Sequence, residues 1–336
     1  MPYQASESRY QTMRYRPAGR TGLKLPALSL GLWHNFGKYD SLDNMKSLLF
    51  TAFDHGICHF DLANNYGPDP GCAEENFGRI MQSDLRKYRD ELVISTKAGC
   101  EMWEGPYGQL GSRKHLLASL DQSLKRMGLE YVDIFYLHCQ DRETPLEESM
   151  LALDQAVRQG KALYAAISNH TGETAVKAVS ILREKRTPFA LLQNSYSMLN
   201  RRIEDNGLQQ FAVESGSGII AFKPLEQGIL TGKYQQGIPA DSRIRRDGRY
   251  LREDAITEKT LRQVSRLQVL AEQRGQTLAE MALAWVYAQP GIASVLIGAS
   301  RAEQILQNLN MLRSAPFTAE ELTLIDEIAA DKEENP

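Results

Sequence analysis

Residues 112–138 read SRKHLLASLDQSLKRMGLEYVDIFYLH. The first part has the marks of a helix: Ser112 suits an N-cap and Gly128 a C-terminal stop. Leu116, Leu117, Leu120, Leu124 and Met127 form one apolar stripe between them. YVDIFYLH (131–138) follows as a short, nearly continuous apolar run, the pattern of a strand covered on both faces. A similar run, ELVISTK (91–97), precedes the helix, so the piece reads strand, helix, strand.

The same alternation extends in both directions. Further strand-like runs are ALSLG (27–31), CHFDLA (58–63), ALYAAIS (162–168), FALLQN (189–194), GIIAFKP (218–224) and ASVLIG (293–298). Helical patterns lie at 41–55, 73–82, 146–159, 173–185, 206–215, 277–288 and 301–312, and Thr318 with Glu321 makes a capping box that opens a terminal helix. Strand then helix, eight times in 336 residues, predicts an α/β chain folded as a (β/α)8 TIM barrel. A doubly wound open sheet is the competing arrangement. Eight units in this length and the lack of a central linker favour closure.

The whole chain, 1–336, is expected to be one barrel domain. Within the first 26 residues MRYRPAGRTGLKLPAL (from 13) begins a β-hairpin able to plug the barrel floor. Residues 225–276, between the seventh and eighth strands, form an insertion with an extra helix near 257–273, expected to build the mouth over the active face.

Composition is that of an ordinary globular chain, 42% hydrophobic and 24% charged, with net charge −3. No basic block of the kind that tracks a phosphate backbone stands out, so nucleic acid is not expected as a partner. RIRRDGRYLR (243–252) is short, interrupted by Asp247 and followed by Glu253, and reads as a solvated surface loop. The N-terminal MPYQASESRYQTMRYRPAG lacks the apolar core of a signal peptide. No run approaches the roughly 18 apolar residues of a membrane helix, so no membrane association is expected. Cys58, Cys72, Cys100 and Cys139 show neither CxxC pairing nor metal-site spacing. They read as free thiols in a reducing cytoplasm, with no metal expected.

Barrel active sites sit at the carboxyl ends of the strands. There the second run delivers Asp61, with Tyr66 five residues on in HFDLANNYG (59–67), and the third delivers Lys97. The fourth gives His138, the fifth Ser168 and Asn169, and the sixth Gln193 and Asn194. Phe222 and Lys223 end the seventh, and Gly298 and Ser300 follow the eighth. A buried Lys97 needs a partner, and Asp61 on the adjacent strand can supply it. An ammonium nearby lowers the pKa of a phenol, so Tyr66 can donate a proton to a carbonyl oxygen near neutral pH. His138 can hydrogen-bond the same oxygen.

Such a proton donor calls for a nucleophile at the carbon. No Ser–His–Asp spacing or reactive Cys offers one, and Cys139, next to His138, should point to the opposite face of its strand. Hydride from a reduced nicotinamide fits better. GSGIIA (216–221) matches a dinucleotide fingerprint but leads into a strand, the wrong context for cradling phosphates. The nucleotide is therefore expected on the rim and in the loops after strands seven and eight.

HFDLANNYG, VISTKAG, YVDIFYLH, AISNH, AFKPLEQGILTGKY and VLIGASRAEQILQN resemble the aldo-keto reductase superfamily along nearly the whole chain. LSLGLWHNFG, ANNYGPDPG, ISTKAGCEMWEGPYG and SLDQSLKRMGLEYVDIFY are similar to its bacterial L-glyceraldehyde 3-phosphate reductase branch, related to the potassium-channel β-subunit group.

The resemblance implies a tetrad: Tyr66 as general acid, Lys97 held by Asp61, and His138 orienting the carbonyl. It implies NADPH/NADP+, with Ser168, Asn169 and Gln193 at the nicotinamide amide and Phe222 stacked on its ring. Lys223, Leu225, Gln227 and Lys233 would follow the pyrophosphate. Gly298, Ser300, Arg301, Gln304 and Asn308 would face the adenosine end and its 2′-phosphate. Trp33 and Trp103, in rim loops, would shape the pocket. Lys223 and HCQD (138–141) depart from the pattern of the branch, where Ser or Thr and an Arg after the His are common.

The expected activity is reduction of small aldehydes such as L-glyceraldehyde 3-phosphate or methylglyoxal by a homo-oligomer, a tetramer or octamer by resemblance. The alternatives are a channel β-subunit-like nucleotide sensor with slow turnover and a lyase using Lys97 as a Schiff base. Asp61, keeping that lysine charged, argues against the lyase.

Overall fold

A computed structural model describes residues 3–239, 242–246 and 251–331. It contains a closed barrel of eight parallel strands: β3 (Leu28–Gly31), β4 (His59–Asp61), β5 (Val93–Ala98), β6 (Val132–Leu137), β7 (Ala162–Ser168), β8 (Phe189–Ser195), β9 (Gly218–Phe222) and β10 (Ile292–Ile297), which closes on β3. The hairpin that precedes them is β1 (Tyr15–Pro17) paired antiparallel with β2 (Lys24–Pro26). The barrel, the expected fold, comes with its outer ring of helices α1 (Leu42–Asp54), α2 (Cys72–Ile80), α3 (Arg113–Met127), α4 (Leu146–Arg158), α5 (Gly172–Glu184), α6 (Arg202–Asp205), α7 (Leu208–Ser215), α8 (Arg243–Arg246), α9 (Glu258–Gln273), α10 (Leu278–Ala288), α11 (Ala302–Leu309) and α12 (Ala319–Ala329).

Local chemistry accounts for the helix ends. Ser112 Oγ accepts from the His115 N–H, and Gly128 closes α3 in the left-handed conformation. Thr318 and Glu321 form the capping box of α12.

Each strand divides its side chains between two cores. On β6, Ile134 and Tyr136 face into the barrel while Phe135 and Leu137 join the core between sheet and helices. On β5, Ile94 and Ala98 face the helices, and Thr96 hydrogen-bonds Glu74 of α2. Ser95 and Lys97 of β5 therefore point inward. The hairpin seals the floor, where Ala18 and Leu25 pack with Val93, Ile134, Leu191 and Ile220. Its turn needs Gly19 (φ +61°), since a Cβ there would lie 2.3 Å from Gly216 O.

Of the segment after β9, the first part stays at the rim. Helix α9 packs against α10 and α12, with Gln263 Nε2 donating to Ile328 O over 3.0 Å. The Arg-rich stretch departs from a plain loop: residues 243–246 form one helical turn, while 247–250 fall outside the described residues. Among the described residues no helix is long and apolar enough to cross a membrane.

Candidate active site

At the carboxyl ends of β4 and β5, Lys97 Nζ lies 2.6 Å from Asp61 Oδ2, and both side chains are fully buried. The ammonium also donates to Leu62 O (2.7 Å) and to Tyr66 Oη (3.4 Å), so its three hydrogens all have acceptors. Because an ammonium only donates, the phenol oxygen must accept, which leaves Tyr66's own hydrogen for another partner. Burial disfavours the Asp61 carboxylate, yet Lys97, His59 and Ser95 together hold its pKa below the ordinary value. Burial likewise pulls the pKa of Lys97 below that of a free lysine, against the attraction of Asp61.

His138 follows β6 directly, and its ring lies edge-on to Tyr66 with centroids 5.7 Å apart. Loss of water and then the Lys97 ammonium push its pKa down to about 3, against the pull of Asp61. The imidazole is therefore neutral near pH 7. It can donate one hydrogen bond but is no reservoir of acid, so a proton for a bound carbonyl must come from the phenol. Trp33, in the loop after β3, brings its ring centroid to 6.2 Å from that of Tyr66. Trp103 packs instead edge-on against His115 of α3, at 5.1 Å.

Behind the dyad lies a chain of buried polar side chains that the sequence reading missed. Ser294 Oγ is 2.6 Å from Ser29 Oγ, Ser29 Oγ 2.8 Å from His59 Nδ1, and His59 Nε2 3.0 Å from Ser95 Oγ. Ser95 Oγ then donates to Asp61 Oδ1 over 2.6 Å. The last bond fixes the direction of all the others. An ionised carboxylate only accepts, so Ser95 gives it its one hydrogen and must itself accept from His59 Nε2–H. Burial drops the pKa of His59 to about 4, so the ring is neutral and Nδ1 accepts from Ser29, which accepts from Ser294. Every hydroxyl thus points its hydrogen toward Asp61. With Gln193 Nε2 donating to Oδ1 at 3.1 Å, the carboxylate is well satisfied.

The expected nucleotide residues gather on the same rim. Ser168 Oγ donates to Gln193 O (2.9 Å), and Asn169, in left-handed backbone (φ 61°), donates from Nδ2 to His138 O (2.9 Å). The amide of Asn169 thereby ties Ser168, expected at the nicotinamide, to the backbone of His138. Phe222 ends β9, and Lys223 Nζ hangs 5.9 Å from the Trp33 ring centroid.

Beyond Lys223 the backbone is left-handed at Glu226, Gln227 and Gly228, while Leu225 is half-buried against the core. Within this turn the Glu226 N–H donates to Lys223 O (2.9 Å) and the Gly228 N–H to Leu225 O (2.8 Å). A Cβ at Gly228 would stand 2.9 Å from Lys233 Nζ, so the ammonium rests on the glycine. Half-buried Glu226, its carboxyl raised by desolvation against Ser197 and Lys223, braces the loop by accepting from Ser197 Oγ (2.6 Å).

At the far end Gly298 faces open space, and Gln304 Oε1 accepts from the Ser300 N–H (2.7 Å). Arg301, exposed, caps α11, whose Asn308 is buried. The groups present therefore suit a dinucleotide phosphate.

The cysteines require a correction. Cys58 and Cys72 are free, but Cys100 and Cys139 are joined as a disulfide. They are separated by 39 positions, the offset of the β5–β6 register that pairs Ala98 with Leu137, so they face each other just past the strand ends. The spacing of 39 reads as a contact only once that register is known. Nor does Cys139 diverge from His138. The strand ends at Leu137, alternation ends with it, and one donor atom each of Cys100, His138 and Cys139 lie within 4.8 Å of one another.

Over residues 27–330 the chain matches the Aldo/keto reductase family. It is 54% identical to the Escherichia coli (strain K12) L-glyceraldehyde 3-phosphate reductase, across all of this chain and 98% of that one. It is 34% identical to a probable voltage-gated potassium channel subunit beta of Oryza sativa subsp. japonica, across 96% of this chain and 98% of that one. A counterpart in Arabidopsis thaliana is 33% identical, across 96% and 99%.

Proposed function

The chain belongs to the aldo/keto reductase family and is an oxidoreductase, and from that premise we propose that it reduces small aldehydes with NADPH, L-glyceraldehyde 3-phosphate first among them. The observation that carries the reading is the buried Asp61–Lys97 pair at 2.6 Å with Tyr66 Oη 3.4 Å from the same ammonium. Reduced nicotinamide, when bound, supplies hydride to the carbonyl carbon. Tyr66 gives the carbonyl oxygen its proton, and Lys97 stabilises the phenolate that remains. His138, neutral, donates a hydrogen bond that fixes the direction of the carbonyl. Ser168, Asn169 and Gln193 hold the nicotinamide amide and Phe222 its ring.

Lys223, Leu225, Gln227 and Lys233 follow the pyrophosphate through charge and backbone amides. Ser300, Arg301, Gln304 and Asn308 receive the adenosine end, with Arg301 on the 2′-phosphate. Trp33 walls the pocket, and Lys223 near it places positive charge at the mouth, which suits a phosphorylated aldehyde.

The two plant relatives support a second reading, a channel-associated nucleotide sensor with slow turnover. Their lower identity ranks it behind the enzyme. The deciding experiment follows NADPH oxidation with L- and D-glyceraldehyde 3-phosphate, methylglyoxal and an aromatic aldehyde, with Tyr66→Phe as control. Fast turnover of the L-phosphate, lost in the variant while NADPH still binds, supports the proposal. Tight NADPH binding with negligible turnover of every aldehyde overturns it in favour of the sensor.

A further inference from the structure

Cys100, His138 and Cys139 bring three soft donors together where the sequence showed none. All three residues are half-buried, and their donor atoms lie within 4.8 Å of one another. Two sulfur ligands of one tetrahedral zinc ion stand about 3.8 Å apart, given zinc–sulfur bonds of about 2.3 Å, so the donors need close up by no more than about 1 Å. The cysteine Cα atoms, 6.0 Å apart, leave room for both sulfurs to turn onto a single ion once they are not bonded to each other.

The framework around them does not depend on the disulfide. Leu110 N–H donates to Gly99 O (2.8 Å), His138 N–H to Ala98 O (2.9 Å) and Gly111 N–H to Asp141 Oδ2 (2.7 Å). Asn169 Nδ2 holds His138 O at 2.9 Å. These bonds span the two loops from both sides, so breaking the sulfur–sulfur bond leaves the donors in place. His138 Nδ1 is buried and finds no hydrogen-bond partner among the described residues.

We infer that, when the Cys100–Cys139 bond is reduced, Cys100, Cys139 and His138 form a site for a thiophilic divalent cation of the zinc class, and that its occupancy stops carbonyl reduction. Two thiolates and an imidazole select zinc over calcium or magnesium, which prefer oxygen. Reduction by a dithiol breaks the sulfur–sulfur bond through two exchange steps. The reagent leaves as its own disulfide, and its two electrons and two protons end on the cysteines as thiols. Metal entry releases those two protons as two zinc–sulfur bonds form. The ion takes one ring nitrogen of His138 and fixes the ring by it, so the imidazole no longer turns to meet a carbonyl. While the disulfide is closed there are no thiolates, and the site does not exist. The inhibitory half rests on the role proposed for His138.

The test uses the full chain reduced with dithiothreitol and freed of it under anaerobic conditions. Zinc is titrated in competition with a chromophoric chelator, and cobalt(II) is used in parallel to display thiolate-to-metal charge-transfer absorption. The expected result is one ion per chain with the charge-transfer band, both absent from the oxidised protein and from Cys100→Ser and Cys139→Ser. Turnover should fall about tenfold or more at one equivalent of zinc and return with a chelator, as expected if an oriented hydrogen bond to the substrate is lost. Equal binding by the oxidised chain or the serine variants, or no stoichiometric binding by the reduced chain, overturns the site. Stoichiometric binding with turnover intact keeps the site and overturns the inhibition, so the two failures are told apart.

Discussion

Lys97 and Asp61 form an ion pair at 2.6 Å with no exposed side-chain surface on either partner. Each charge is tolerable only because of the other. Lys97→Met should therefore destabilise the fold by about 3–5 kcal/mol at pH 7, since it leaves a buried carboxylate without a cation. The penalty should shrink as pH falls, because an unpaired, buried Asp61 takes up a proton more readily than a free one. Urea unfolding of both proteins at several pH values measures this. A penalty that does not vary with pH would mean that Asp61 is not the group left stranded.

The donor chain from Ser294 to Asp61 predicts a gradient. Ser95→Ala removes a hydrogen bond to a charge, worth about 1.5–3 kcal/mol. It should lower stability by that amount and slow turnover. Ser294→Ala lies three bonds back, where Ser29 keeps its bond to His59. It should cost about 1 kcal/mol, the value of a neutral hydrogen bond. Unfolding free energies and kcat for the two variants compare the ends of the chain. Equal effects would refute a chain polarised toward the carboxylate.

Why the tetrad was readable and the chain behind it was not follows from where each lies. Asp61 and Lys97 end their strands and His138 and Tyr66 follow closely, so a rule about strand ends finds them. His59 and Ser95 lie inside runs that read as continuously apolar. Their meaning depends on closure, which sets Ser294 of the last strand against Ser29 of the first. The Cys100–Cys139 pair needed the β5–β6 register, which hydrophobic patterning alone does not supply. Capping boxes are local, and the one at Thr318 was legible for that reason.

Arg301 stands exposed at the N-terminus of α11, beside Ser300 and Gln304. If it meets the 2′-phosphate, Arg301→Ala removes a charge-assisted hydrogen bond. That is roughly a 10- to 100-fold loss in NADPH affinity. NADH, which lacks that phosphate, should bind nearly as before. Titration of the cofactor's fluorescence gives both dissociation constants, and an equal loss for the two would remove Arg301 from the phosphate.

Burial lowers the pKa of four histidines, His59, His115, His138 and His170, which gives stability a pH dependence with a definite sign. Burial first of all brings His59 and His170 to about 4 and His138 to about 3, from an ordinary 6.5. Between those values the unfolded chain takes up protons that the folded chain refuses. Stability from these groups is therefore complete above about pH 6.5 and falls as pH drops toward 4, by about 1.4 kcal/mol per pH unit per histidine at most. Asp61 acts in the same direction but lower. Its folded pKa is depressed, so its contribution fades only below the ordinary carboxylate range. The melting temperature should decline between pH 6.5 and 4.5, before most carboxylates titrate. His59→Gln keeps an N–H for Ser95 and removes one titrating ring, so it should make that decline measurably shallower. A decline of the same steepness in the variant would show that His59 is charged in the folded protein, with Nδ1–H donating to Ser29 and Ser29 to Ser294, while the bonds from Nε2 to Ser95 and from Ser95 to Asp61 keep their direction.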